Sequence, residues 1–289
     1  MGLCSMQPFL PPANSEMLQI AILGSGSSGN CLYVETPRTR FLVDAGLTAR
    51  QIGLRLESIG RTLADIDALL LTHEHTDHTR GLNVLAKKLR LPVYTNRLTR
   101  DALARQLSAE VDWKLFRAGD GFSLQDVQVD SFSLPHDACD PVGFTLAWGE
   151  EKVGVLTDLG YAPEPVLERV RGCTALLLET NHDTDLLHAD TKRPWAVKQR
   201  ILARHGHLSN DEAADVAEVV LSDQLRHLFL CHLSRDCNRP DLARHAISSR
   251  LARLGADSVS IHETYPDRAC NPLKILSRSG QNFPNHDTR

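Results

Sequence analysis

In Asp67-Ala-Leu-Leu-Leu-Thr-His73-Glu-His75-Thr-Asp77-His78-Thr-Arg-Gly81, an apolar run ends in three histidines and two acids within six residues, just ahead of an amphipathic helical pattern. Neutral imidazole and carboxylate are standard ligands of zinc and related divalent ions, so this junction reads as a metal-binding loop at a strand end rather than a charged turn. The spacing divides the ligands. His73 and His75 alternate by two and project to one side, whereas Asp77 and His78 lie on the turn entering the helix. Such a layout can serve two adjacent ions.

One segment cannot complete two sites, and the rest of the chain supplies isolated candidates. His136 follows an expected strand in SLPHDACDP, Asp158 ends one in VLTDLG, and His232 ends one in LFLCHLSRDCN. All three fall at carboxyl ends of strands, the edge where ligands gather in open α/β sheets. Short apolar runs predict strands at 18–23, 31–35, 40–43, 67–72, 92–95, 126–132, 143–148, 152–157, 174–179, 226–231 and 258–262. Helical patterns predict 48–59, 79–90, 97–107, 194–204, 209–222 and 240–254; in the second, Leu82, Leu85 and Leu89 share one face. Strands interleaved with helices in both halves imply a layered α/β protein with a mixed sheet or two packed sheets. Residues 1–17 are expected to be a flexible lead, 18–276 a single domain and 277–289 a loose tail.

Composition bounds the function. The chain has 289 residues, 42% hydrophobic and 24% charged, enough for one large core. A net charge of -4 excludes attachment to nucleic acid by bulk charge alone, although a local basic groove stays open. Thirteen His stand against seven Lys, and the ligand reading accounts for five of them. Seven scattered Cys without a CxxC pair read as reduced thiols, which points to the cytoplasm. No basic leader precedes an apolar run, and no segment nears the ~18 apolar residues of a membrane span, so no membrane association is expected.

His73, His75, Asp77 and His78 match the HxHxDH signature of the metallo-β-lactamase-fold hydrolases. With His136, Asp158 and His232 in the family's later ligand positions, the chain resembles that family from about residue 18 to about residue 265. The resemblance implies an αββα four-layer sandwich with the site at one edge of the paired sheets. It also implies a ligand-supporting role for Asp44 in FLVDAG. GSGSSGNC (24–31), ETNHD (179–183), GHLSN (206–210) and CHLSRDCN (231–238) look like the YycJ/WalJ/VicX branch, whose members are regarded as DNA 5′-exonucleases. No substrate-clamping domain of the β-CASP kind is visible.

By this resemblance two divalent ions, zinc or manganese with iron or nickel also admitted, are expected to drive phosphodiester hydrolysis. His73, His75 and His136 are expected on the first ion, Asp77, His78 and His232 on the second, and Asp158 between them; Asp77 also orients or deprotonates the nucleophile. Ser209 and Glu212 form a capping-box pattern that starts a helix, which puts His207 just before a helix N-terminus, where backbone N–H groups suit a phosphate oxygen. His207 is therefore expected to contact the phosphate or protonate the leaving oxygen, as a histidine similarly placed does in related phosphodiesterases. Further substrate contacts are expected from Ser25, Ser27, Ser28, Asn30, Arg235 and Asn238, and a buried hydrogen-bonding role from His182. Arg193, Arg200 and Arg204 are spaced to line one helical face towards DNA. DNA is the expected partner, with no obligate protein partner implied. Two rival readings are a hydrolase of a small ester, thioester or cyclic phosphodiester, and a non-catalytic metal-binding regulator beside a two-component signalling system.

Overall fold

The computed structural model describes residues 17–276. In the first sheet, β1 (Met17–Gly24), β2 (Cys31–Glu35) and β3 (Arg40–Val43) form an antiparallel meander, to which β4 (Ala68–Leu70), β5 (Pro92–Asn96) and β6 (Asp112–Phe116) add in parallel. The crossovers carry α1 (Ala49–Ser58), the short α2 (Thr76–Thr79), α3 (Leu82–Leu89) and α4 (Arg97–Ala104). The second sheet opens with β7 (Gly121–Leu124), β8 (Val127–Ser133), β9 (Val142–Trp148) and β10 (Glu151–Leu156), all antiparallel. It continues in parallel through β11 (Ala175–Glu179), β12 (His227–Cys231) and β13 (Ser260–Glu263). Its helices are α5 (Glu164–Val170), α6 (Thr184–Ala189), α7 (Trp195–Ile201), α8 (Asn210–Val219) and α9 (Pro240–Arg253). Finally β14 (Leu273–Leu276) returns to pair with β1.

The strand period of two sorts the apolar side chains into three layers. Leu18, Ile20 and Ile22 of β1 face Val153, Val155, Leu177 and Phe229 between the sheets. Their alternates Ala21 and Leu23 pack outward against Ile52 and Leu56 of α1 and Leu82 and Leu85 of α3. On the other side Leu176, Leu178, Leu228 and Leu230 pack against Ala213 and Ala217 of α8 and Ile247 and Leu251 of α9. Each such fully buried leucine or isoleucine contributes roughly 1.5–3 kcal/mol. The result is the αββα four-layer sandwich.

Three strands escaped the sequence pattern: β6, β7 and β14 are all sheet edges. An edge strand exposes much of its surface, so Asp112–Phe116 buries only Phe116 and shows no apolar alternation. The short α5 and α6 offer too few turns for a helical period. The helix expected at 79–90 starts later, as α3 at Leu82, and the separate short α2 before it holds part of the ligand loop. Of the expected lead, Met17 opens β1; the rest of it and the expected tail lie outside the described residues. Among the described residues every cysteine is a free thiol, and no helix is long and apolar enough to cross a membrane.

Candidate metal centre

Three site residues stand just past strand ends in a left-handed backbone conformation, two of them directly and Asp158 one residue further on. Asp44 follows β3 with φ 62°, Asp158 follows β10 with φ 62°, and His232 follows β12 with φ 55°. Such angles cost a side-chain-bearing residue energy, least for Asp, Asn and His, and they are held here by packing around a site. The ligand loop is clamped by backbone. Asn30 N donates to Asp77 O at 2.8 Å, Ala45 N to His78 O at 2.8 Å, and Gly46 N to Asn30 O at 2.9 Å. Gly46 has no room for more, since a Cβ there would lie 1.6 Å from Asp77 O.

Seven expected ligands converge. His73, His75 and His136 bring ligand atoms within 4.8 Å of one another, as do His73, His78 and Asp158. His136 Nδ1 lies 3.1 Å from Gly206 O, and that donation leaves Nε2 as a free lone pair, 3.4 Å from His75 Nδ1. Asp158 lies between the other histidines: Oδ2 is 2.8 Å from His78 Nε2 and Oδ1 is 2.8 Å from His232 Nδ1. Asp77 Oδ2 is 3.5 Å from His232 Nε2 and 3.7 Å from His78 Nε2. Asp44 holds His78 from behind, with Oδ2 2.7 Å from Nδ1, and its Oδ1 accepts from Thr72 N at 2.9 Å.

The donor set fits divalent cations. His73 Nε2, Asp158 Oδ2 and His232 Nδ1 are buried without a well-directed hydrogen bond, although the last two have ionic partners at 2.8 Å. Buried polar atoms are rarely left so, and imidazole and carboxylate groups brought this close together are what an ion satisfies. Burial pushes His73 well below the usual histidine range, so it is neutral, as a ligand must be. Burial alone would raise Asp158, but His232 and His78 hold it well below the usual carboxylate range.

Glu179, to which the sequence reading gave no role, belongs to this centre. Its Oε1 lies 2.7 Å from His207 Nδ1 and 3.1 Å from His232 Nδ1, while Oε2 accepts from Leu159 N and Leu208 N at 3.0 and 3.3 Å. In the sequence its only signal is that it ends an apolar run; the strand order, with β11 parallel to both β10 and β12, sets it between Asp158 and His232. Burial acts to depress His207, yet the Glu179 carboxylate carries its affinity for a proton above the ordinary value.

Several expected roles need correction. The start of α8 is occupied by the chain itself. Ser209 N and Oγ both donate to the Glu212 carboxylate at 2.8 Å, and Asn210 N donates to His182 O at 2.8 Å. The expected capping box and helix start are thus present with His207 just before them, and His207 is poised by Glu179 as well. Ser25 Oγ accepts from His232 N at 2.7 Å, Asn30 Nδ2 lies 3.0 Å from His78 Nε2, and Asn238 bonds Thr180 O and Asn210; all three are buried braces. Ser27 and Arg235 are exposed and Ser28 half-buried. His182 is buried with neither ring nitrogen hydrogen-bonded, contrary to expectation. The arginine row is spent internally: Arg193 precedes α7 and pairs with Asp190 and Asp236, Arg200 pairs with Asp137, and Arg204 lies over the Tyr161 ring.

Residues 39–232 match the Beta-lactamase superfamily domain. Exodeoxyribonuclease YycJ of Bacillus anthracis is 37% identical over 263 residues, covering 89% of this chain and 98% of that protein. Exodeoxyribonuclease WalJ of Streptococcus pneumoniae strain D39 is 35% identical over 257 residues, covering 86% and 95%. Among solved structures, the metallo-beta-lactamase fold protein YhfI of Bacillus subtilis superposes with a TM-score of 0.69 at 15% identity, over 90% of this chain and 100% of that one, a likeness of fold. The chain belongs to the metallo-β-lactamase superfamily, within the branch of the YycJ and WalJ proteins.

Proposed function

We propose that the chain is a metal-dependent phosphodiesterase that degrades DNA from 5′ ends. The observation that carries the reading is the convergence of the HxHxDH loop with Asp158, His232 and the Glu179–His207 pair at one sheet edge. The names of the two relatives that match nearly end to end support DNA as the substrate.

His73, His75 and His136 would hold one divalent ion, and His78, His232 and Asp77 a second, with Asp158 between. Zinc and manganese suit this set. Two such ions, when bound, polarise the phosphate and lower the pKa of the attacking water. The residues around them do the rest. Asp77 is less buried than its neighbours and orients the water or takes its proton. Glu179 holds Nδ1 of His207, which leaves Nε2 to give a proton to the leaving oxygen. Asp44 and Gly206 O fix the rings of His78 and His136.

The test is digestion of duplex DNA labelled at either end, with Mn²⁺ or Zn²⁺ supplied. A 5′ label should leave as mononucleotide or short product from the outset, while 3′-labelled strands shorten progressively. Absence of metal-dependent DNA cleavage, with turnover of a small thioester instead, would favour the small-ester reading.

A further inference from the structure

Arg55 lies on the core-facing side of α1 with Ile52 and Leu56, and is itself buried. An arginine keeps its charge inside a protein, so a buried guanidinium is tolerated only where acceptors meet it. Here the acceptors are two backbone carbonyls from segments that belong to different sheets. Nη1 donates to Leu23 O at 2.6 Å, near the end of β1, and Nη2 to Pro266 O at 3.0 Å, in the loop after β13. The fork sits tight against the chain, since a Cβ at Gly24 would lie 2.5 Å from Nη1.

The two segments joined in this way lead to the metal centre. Ser25 N donates to Tyr265 O at 3.1 Å, so the strand end and the loop are tied twice, once by the guanidinium and once by backbone. Ser25 Oγ then accepts from His232 N at 2.7 Å. On the other side of the same residue, Asn181 Nδ2 donates to His232 O at 2.9 Å. His232 thus keeps a φ of 55°, which a side-chain-bearing residue adopts only at a cost, between two braces, and one of them hangs on Arg55. The ring of His136 is held elsewhere, by Gly206 O.

We propose that Arg55 is a positioning residue for the second ion. Its fork fixes Leu23 and Pro266, these place Ser25, and Ser25 holds His232 where its ring can serve as a ligand. This rests on the two-ion reading above and deepens it, because it makes the two ion positions separable. Loss of the fork loosens His232 and the ion it shares with Asp77 and His78, while His73, His75 and His136 keep theirs.

The experiment is stepwise titration of the metal-stripped protein with Co²⁺, read by visible absorption, on the parent, Arg55→Met, Ser25→Ala and the two substitutions combined. The parent should take two ions per chain. Arg55→Met should bind one ion as the parent does and the other about tenfold more weakly or worse. Ser25→Ala should do the same, and the combined variant should lose little beyond either alone, because both act along one path. Arg55→Lys, which keeps the charge without the fork, should fall between parent and Arg55→Met, and it stands in where Arg55→Met does not fold. Parent-like binding of both ions by the folded variant, equal weakening of the two ions, or losses that simply add in the combined variant would each overturn the proposal. The two readings fail distinguishably. A parent that takes a single ion removes the two-ion reading and this inference together, whereas two ions in the parent with any of those three results removes the inference alone.

Discussion

Glu179 Oε1 lies 2.7 Å from His207 Nδ1, at the end of a strand set between those that carry Asp158 and His232. The carboxylate opposes the burial that would otherwise strip His207 of its proton. A protonated His207 that serves the leaving oxygen loses activity as pH rises through its pKa. Glu179→Gln lowers that pKa, so the alkaline limb of the pH–rate profile should move to lower pH and kcat fall by about 10²-fold at neutrality. The profile is to be measured with metal content followed in parallel; an unmoved alkaline limb removes the pair from proton transfer.

Asp44 reaches the centre only through other residues. It accepts from Thr72 N and holds His78 Nδ1, and Asn tolerates its φ of 62°. Asp44→Asn should therefore keep the backbone while weakening metal binding about 10–100-fold. It should also destabilise the fold by roughly 1–3 kcal/mol. Competition with a chromophoric chelator measures the first and denaturant unfolding the second. Unchanged metal affinity would deny Asp44 its supporting role.

Two glycines separate crowding from backbone conformation. At Gly46 a Cβ collides with Asp77 O at 1.6 Å, whereas at Gly60, with φ 74°, nothing lies within 4 Å. Gly46→Ala should displace the ligand loop and lose metal. Gly60→Ala should cost only about 1–2 kcal/mol and keep metal. Elemental analysis of the two purified variants decides it, and metal retention by Gly46→Ala would show the clamp to be dispensable.

Away from the site, His227 Nδ1 lies 3.1 Å from His262 Nε2. Burial, with His262 and Arg226 adding, lowers His227 from 6.5 to about 4. A histidine depressed in the fold takes up its proton more readily when unfolded. Its stabilising effect is thus complete above pH 6.5 and is lost as pH falls towards 4. The group is half-exposed, so solvent screening keeps the effect modest. His227→Gln should flatten the decline of the unfolding midpoint between those pH values, and an equally steep decline would discount the pair.

The candidate ligands were legible because metal chemistry needs rare residue types at fixed places. His73 to His78 announce themselves by density, and His136, Asp158 and His232 by ending apolar runs. Glu179 ends such a run as well, but its role depends on strand order, which no local pattern contains. Ser25, Asn30 and Asn238 show the converse limit. Polar residues in turns beside a site look like substrate contacts, and only the fold reveals that their hydrogen bonds are spent on His232, His78 and Thr180. The edge strands β6, β7 and β14 were illegible because exposure erases the alternation that marks their buried neighbours.

The central claim is that the proposed ligands, His73, His75 and His136 for one ion and Asp77, His78 and His232 for the other with Asp158 between, act as a dinuclear centre for DNA hydrolysis. Its most direct measurement is the rate of DNA cleavage against the number of divalent ions bound per chain, determined on the same stripped and reloaded samples. The account predicts full activity at two ions per chain, with Asp158→Ala losing bound metal and cleavage together. Full activity with one ion, cleavage in excess chelator, or an Asp158→Ala variant that cleaves DNA like the parent would contradict it.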